Sequence, residues 1–257
     1  MGKDYRLLQV HNAFGAPVYM AEETDSTMDD ARELAAAIDA DAAGTGSGHG
    51  TVLRAARQRR GRGRFRDRSW LNESGRDLMF TIILDSDKIA TKALPLSCGL
   101  ALLRAIDRWR AGRQPPPELK WPNDILAGGK KLSGILCEGD GRRFYAGIGL
   151  NCLVRPFPPE IEAKAGSLEG IYGTGVDMNA LFSSILEALQ GELGKPFDPE
   201  AAGARLYGLG RNVRFLEGMP ERGDVLEGEI AGLGSGGELL IRTAGGLRAC
   251  ASGEILF

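Results

Sequence analysis

The spacing of apolar positions changes period several times along this chain. From Ser26 the segment "STMDDARELAAAIDA" sets Met28, Ala31, Leu34, Ala35 and Ile38 at helical spacing, and Ser26 with Asp29 three positions on has the form of a capping box. This predicts a helix with its N-terminus beside Ser26. The Gly-rich run "DAAGTGSGHG" (41–50) has the composition of a flexible connection, and "TVLRAA" (51–56) the length and β-branched start of a strand. "DLMFTIIL" (77–84) is apolar on both faces, as a fully covered strand is, and in "LPLSCGLALLRAIDRW" Leu96, Leu100, Leu103 and Ile106 form one helical stripe. After "RQPPPE" come three strand-like runs, "LKWPND", "KLSGILCEG" and "RRFYAGIGLNC", the last two joined by the turn "DGRR". A last helix is predicted over 177–193, with Leu181, Ile185 and Leu189 on one face and Gly194 as its stop.

Beyond about Arg211 the pattern shortens to alternating strands with Gly turns, "NVRFLEG", "VLEGEIAGLG", "GELLIRT" and "LRACASGEILF", as a small β-barrel requires. The reading is therefore α+β: a mixed β-sheet packed with helices over residues 1–208, followed by a small C-terminal β-barrel over 209–257. No repeat of solenoid period interrupts it.

Composition removes several function classes. The chain has 257 residues, 43% of them hydrophobic, enough to bury a substantial core. Its opening "MGKDYRLLQVHNAFGAPVYM" lacks an apolar run of signal-peptide length and no 18-residue apolar span follows, so a cytoplasmic protein without membrane contact is expected. Cys98, Cys137, Cys152 and Cys250 form no CxxC pair and His11 and His49 are the only histidines, which disfavours disulfides, zinc and histidine-based catalysis.

Charge is concentrated in one place. Residues 57–68, "RQRRGRGRFRDR", hold seven arginines and one aspartate, a local +6 in a chain of formal net charge −2, so the remainder carries −8. Gly61 and Gly63 permit close backbone approach, and guanidinium forks suit carboxylate and phosphate oxygens. The loop has the means to fold around an anion, and mutual repulsion predicts disorder until one arrives. A solvated charged loop is the alternative, as is a grip on nucleic-acid phosphates, although the acidic remainder opposes the latter.

Three further clusters lie downstream. In "KWPND" (120–124) Pro122 should end a strand and leave Asn123 and Asp124 at its C-terminal end, where an acid beside an amide suits a Mg²⁺ that keeps its waters and phosphates. In "KKLSGIL" (130–136) Lys131 precedes an apolar strand and serves best as a fixed positive charge, while Gly134 leaves room for a ligand. "GIGLN" (147–151) ends a strand with Gly147, Gly149 and the amide of Asn151. Neither GxGxxG nor GxxxxGK[ST] is present, so a nucleotide would be held by another device.

Together, "ETDST" (23–27), "QRRGRGR" (58–64), "KWPND", "KKLSGIL", "GIGLN" and the terminal "GEI" (253–255) resemble biotin protein ligases, from about residue 20 to the C-terminus. The resemblance implies that biotin and MgATP form biotinyl-5'-AMP and that a lysine of a biotin carboxyl carrier domain then accepts the biotin. It also implies a biotin site of Ser26, Thr27, Gln58, Gly61, Arg62, Arg64, Lys131, Gly134 and Gly149. Trp70, Asn123, Asp124, Lys131 and Asn151 would serve ATP, with Asp124 on the metal and Lys131, Arg62 and Arg64 catalytic. Departures are Met28 where the family usually has Asn, and "GRGRFRDRSW", one residue longer than the family's GRGRxGRxW and lacking its third glycine. No helix-turn-helix precedes residue 20, so no DNA binding is expected. Lipoate or octanoate ligation on the same fold and non-catalytic binding are the competing readings. Exposed strand edges would permit a homodimer, but no motif demands one.

Overall fold

The computed structural model describes residues 4–41, 48–65, 69–218 and 224–256. Strands β1 (Arg6–Leu7), β2 (Val18–Thr24), β3 (Val52–Gln58), β4 (Asp77–Asp85), β5 (Pro117–Lys120), β6 (Asp124–Ala127), β7 (Lys130–Gly139) and β8 (Arg143–Asn151) form an eight-stranded sheet in the order β1-β2-β3-β4-β8-β7-β6-β5. The β2–β3 pair is parallel and the other pairs are antiparallel. A parallel pair needs a crossover, and helix α1 (Thr27–Ala40) supplies it.

The two faces of the sheet are covered differently. On one, Met28, Ala31 and Ala35 of α1 pack with Leu53, Ile83 and Tyr145. On the other, Leu78, Phe80, Ile82 and Leu84 of β4 belong to the main core with helices α2 (Leu94–Arg110) and α5 (Met178–Leu193), the Phe80 and Phe182 rings meeting edge to face with centroids 5.1 Å apart. Every residue of β4 is consequently buried, which is why its sequence shows no alternation. Between α2 and α5 lie the short α3 (Pro159–Glu162) and α4 (Leu168–Tyr172), and α6 (Pro199–Gly203) follows α5. No helix among the described residues is long and apolar enough to cross a membrane.

Strands β9 (Asn212–Glu217), β10 (Val225–Leu233), β11 (Leu239–Thr243), β12 (Gly246–Cys250) and β13 (Gly253–Leu256) form a second, antiparallel sheet in the order β12-β11-β10-β9-β13. Among the described residues no ladder joins β12 to β13, so this sheet is open and not the closed barrel expected from its pattern. Gly253, at φ +148°, turns the chain off β12 and onto β9. Val213, Phe215, Ile230 and Ile241 of this sheet share the main core. Trp121 joins the two sheets: its Nε1 donates to the Gly237 carbonyl at 2.9 Å and its ring lies 5.7 Å from that of Phe215. Gly237 takes φ +89° hard against α2, where an added Cβ would lie 2.7 Å from the Ala93 Cβ.

"KWPND" differs from its sequence reading. β5 stops at Lys120, residues 121–123 turn, and Asp124 opens β6 opposite Lys120, so the acid starts a strand where an end was expected. Pro122 ends β5 as foreseen, but the chain returns at once as a hairpin.

Candidate active site

The sheet face that carries α1 continues past the helix's N-terminus as a floor of small residues. Thr81 of β4 pairs with Gly147 of β8, and Gly134 of β7 pairs with Gly149 of β8. Met28, buried at the start of α1, lies over Gly147, where an added Cβ would meet its Cε at 2.9 Å. The position that departs from the family's Asn is thus a core position here. Trp70 covers the next two glycines. A Cβ on Gly149 would lie 2.4 Å from the indole Cε2, and one on Gly134 would lie 3.0 Å from its Cζ3. The indole Nε1 is buried and has no hydrogen-bond partner among the described residues.

Lys131 borders this floor. Its Nζ is 2.8 Å from Asp124 Oδ1 and 5.9 Å from the Trp70 ring centre. Among the described residues no group of three or more His, Cys, Asp and Glu side chains converges as a metal cage. Asp124 instead sits among cations, since Lys120 is close enough to interact with it and with Glu254, Lys131 and Lys164. Burial lowers the Lys120 ammonium below its ordinary range, against the pull of Asp124 and Glu254. Asn123 and Asn151 are turned to structural work. Asn123 Nδ2 donates to the Ile135 carbonyl at 2.7 Å, and Asn151 Nδ2 donates to the Gly166 carbonyl at 2.9 Å, bracing the chain around Lys131.

On the other side of Trp70 a hydroxyl and amide chain runs along the start of α1. Ser26 caps the helix, its hydroxyl accepting from Asp29 N at 3.4 Å. Gln58 Oε1 accepts from Thr27 N at 2.8 Å and from Thr27 Oγ1 at 3.1 Å, and Thr27 Oγ1 lies 2.9 Å from Thr81 Oγ1. Gly61 passes close to Trp70: its carbonyl accepts from Trp70 N at 2.8 Å, and an added Cβ would lie 3.0 Å from the Trp70 carbonyl.

The arginine loop is described through Phe65; the expectation of disorder reaches residues 66–68, which lie outside the described residues. Four of its described arginines already have partners, so unrelieved repulsion is not their condition. Arg57 pairs with Glu23 at 3.2 Å, Arg59 with Asp25 at 2.7 Å, and Arg62 with Asp29 at 2.6 Å and Glu138 at 3.8 Å. Arg64 donates to the Gly253 carbonyl at 2.6 Å, tying the loop to the strand that carries "GEI". The acids of "ETDST" and of α1 thus neutralise Arg57, Arg59 and Arg62 before any ligand does.

Trp70, Gly134, Gly149, Lys131 and Asp124 therefore meet at one place, with Ser26, Thr27, Gln58 and Gly61 beside it and Arg62 and Arg64 on its rim. Residues 40–154 match the biotin/lipoate A/B protein ligase family. Over 254 residues the chain is 31% identical to the biotin–[acetyl-CoA-carboxylase] ligase of Paracoccus denitrificans, covering 93% of this chain and 99% of that one. The chain belongs to the biotin protein ligase family. It is also 31% identical over 199 residues to the biotin–[acetyl-CoA-carboxylase] ligase of Mycobacterium tuberculosis, covering 74% of this chain and 72% of that one. Its fold matches the biotin protein ligase of Aquifex aeolicus solved in complex with biotin and ATP, with a TM-score of 0.79 and 29% identity over 95% of this chain and 98% of that one. It spans 60% of the length of the bifunctional ligase/repressor BirA of Bacillus subtilis, to which it is 31% identical.

Four residues of this site escaped the sequence reading. Thr81 had a signal, being the lone hydroxyl in the apolar run from Leu78 to Leu84. Asn72, whose side chain bonds the Gln58 backbone and the Trp70 carbonyl, and Glu138 had none, and Asp29 had one only as a capping-box position, because their roles depend on which backbone and which arginine the fold brings to them.

Proposed function

We propose that the chain is a biotin protein ligase, activating biotin with ATP to biotinyl-5'-AMP and passing the biotin to a lysine of a carboxyl carrier domain. The observation that carries this reading is the glycine floor of Gly134 and Gly149, covered by the Trp70 indole and bordered on one side by the Thr27 and Gln58 chain and on the other by Lys131, a floor that opens to a ligand when the indole moves off it. An acid with a polar ring, an aliphatic tail and a terminal carboxylate fits that order of surfaces. Burying a four-methylene tail contributes about 3 kcal/mol at roughly 0.8 per CH₂.

In the first step a biotin carboxylate oxygen attacks the α-phosphorus of ATP and the bond to the bridging oxygen breaks, releasing pyrophosphate. Two unit negative charges about 4 Å apart at an effective dielectric near 20 oppose that approach by roughly 4 kcal/mol. Lys131, with Arg62 and Arg64 on the rim, offsets the repulsion and holds the charge that develops on the phosphoryl oxygens. Ser26, Thr27, Gln58 and Gly61 face the ring; with the Trp70 indole moved off its floor to the nucleotide, beside Asn123, Gly134 and Gly149 face the ring's underside, and Asn151 holds the backbone of Lys131. Asp124 is the residue that would hold Mg²⁺, a single carboxylate suiting an ion that arrives with the nucleotide and keeps its waters; the ion would neutralise phosphate charge. In the second step the carrier lysine's amine attacks the mixed-anhydride carbonyl, AMP departs and the amine loses its proton.

The test is ATP–pyrophosphate exchange with Mg²⁺ and biotin, lipoate or octanoate added in turn. Exchange dependent on biotin alone is expected. Exchange with lipoate or octanoate and none with biotin would replace this reading by its nearest rival, and none with any acid would leave a binding protein. The ion pairs of Arg57, Arg59 and Arg62 with acids of the chain speak against a nucleic-acid grip.

A further inference from the structure

We infer that Asn72 is a positioning residue that fixes the base of the arginine loop, holding Gln58 at its entrance and Trp70 at its exit; this rests on the ligase reading above. The ladder between β3 and β4 runs through Val52–Ala55 and stops before β3 does. Beyond it, the Gly75 N–H donates to the Ala56 carbonyl at 3.1 Å, and the Asn72 side chain takes over from there. Its Oδ1 accepts from Gln58 N at 3.0 Å, and its Nδ2 donates to the Gln58 carbonyl at 2.8 Å and to the Trp70 carbonyl at 3.3 Å. One carboxamide thus does for Gln58 what a neighbouring strand's N–H and C=O would do.

The consequence reaches the slot from both sides. With both backbone groups of Gln58 fixed, its side chain is aimed at Thr27 N and Oγ1. With the Trp70 carbonyl held, the indole is set above Gly149, and the neck of the loop is closed just above by the Trp70 N–H on the Gly61 carbonyl at 2.8 Å and the bridge between Arg62 and Ser69. Only a carboxamide offers an acceptor and two donors in one plane; Asp lacks the donors and Ala has neither. Asn72 touches neither reacting group, so its effect passes through the orientation of residues that do.

The experiment compares the full-length chain with Asn72→Ala and Asn72→Asp, reading thermal unfolding, amide hydrogen exchange at Gln58, tryptic cleavage within residues 57–68, and KM and kcat in biotin-dependent exchange. For Asn72→Ala we expect Gln58 exchange and loop cleavage about tenfold faster and the KM for biotin raised about tenfold, as losing one to two net hydrogen bonds implies. A role confined to stability would lower Tm and the amount of active enzyme and leave KM alone. Asn72→Asp keeps the acceptor for Gln58 N–H and should protect that amide while loosening the loop as Ala does, and it decides the question if the Ala variant does not fold. Unchanged Gln58 exchange and unchanged biotin KM in a folded variant would overturn the assignment. If the wild-type chain shows no biotin-dependent exchange, the ligase reading fails by itself, and hydrogen exchange with tryptic cleavage still judges Asn72.

Discussion

The indole of Trp70 rests directly on the backbone of Gly149, with so little space between them that a Cβ on the glycine would lie 2.4 Å from the ring. Gly134, paired with Gly149 across β7 and β8, extends that contact. A side chain at Gly149 must therefore expel the ring, and one at Gly134 must push it. Gly149→Ala should displace Trp70, shift its fluorescence and raise the KM for biotin about tenfold, since overpacking typically costs about 1–3 kcal/mol. Gly134→Val should do the same to biotin with less effect on ATP. An unshifted emission spectrum together with an unchanged KM would show that the slot lies elsewhere.

Lys131 neutralises Asp124 across 2.8 Å and faces the same slot. Lys131→Ala should lower kcat for pyrophosphate exchange about a hundredfold, the order seen when one electrostatic donor to a transition state is removed. Part of that loss would come from the carboxylate left unpaired beside incoming phosphates. Because Asp124 would hold Mg²⁺, Asp124→Asn placed in the Lys131→Ala background should lower the rate further. If instead the double variant recovers some of the rate, Asp124 serves merely as the lysine's counter-charge and has no part on the metal.

Much of the fold was legible because its long elements have unmistakable periods: α1 with its Ser26 cap, α2 with its Leu stripe, and β4 with its unbroken apolar run. β2 was missed, since "VYMAEET" changes from apolar to acidic midway, and its Glu23 makes sense only beside Arg57 and Arg59. The site residues were legible as motifs but not as partners. Nothing in "GIGLN" says that Gly149 lies under a tryptophan seventy-nine positions earlier in the chain, and nothing in "WLNES" says that Asn72 completes β3. Such relationships depend on three-dimensional register, which a one-dimensional pattern does not carry.

Asp77 should give the chain a pH-dependent joint. It is buried at the start of β4, its Oδ1 without a hydrogen bond among the described residues and its Oδ2 3.3 Å from Arg155 Nε, and burial pushes its carboxyl up to about 6 against the opposing pull of Arg155. Because the folded state holds this proton more tightly than the unfolded chain does, its contribution to stability is fully present below about pH 4 and is lost as pH rises to about 6, by roughly 3 kcal/mol at 1.36 per unit. Denaturant unfolding at pH 4 and pH 7 should show Asp77→Asn differing from the wild type by that change and in that direction. Arg155 also donates to the Leu71 carbonyl at 2.9 Å, next to Trp70. Loss of the Asp77 charge should loosen that hold, giving an acid limb near pH 6 in the activity profile that Asp77→Asn removes; the same limb persisting in the variant would assign it to another group.

The second sheet is joined to the first by core packing, so deleting residues 211–257 should yield misfolded chain and not an active catalytic fragment. Val213, Phe215, Ile230 and Ile241 belong to the same core as Phe80 and Phe182, and their removal would expose that core to water. A gentler cut is Trp121→Phe, which keeps most of the ring packing on Phe215 and removes the N–H that reaches the Gly237 carbonyl at 2.9 Å. That change should cost about 1 kcal/mol and lower Tm by about 2–4 °C. Arg64→Ala should behave oppositely, leaving Tm nearly unchanged while lowering kcat/KM about tenfold, because its bond to the Gly253 carbonyl holds the loop to the second sheet at the rim of the slot and not in the core. If Arg64→Ala lowers Tm as much as Trp121→Phe and leaves kcat/KM intact, the loop's tie to the second sheet serves stability and the sheet has no part in orienting the site.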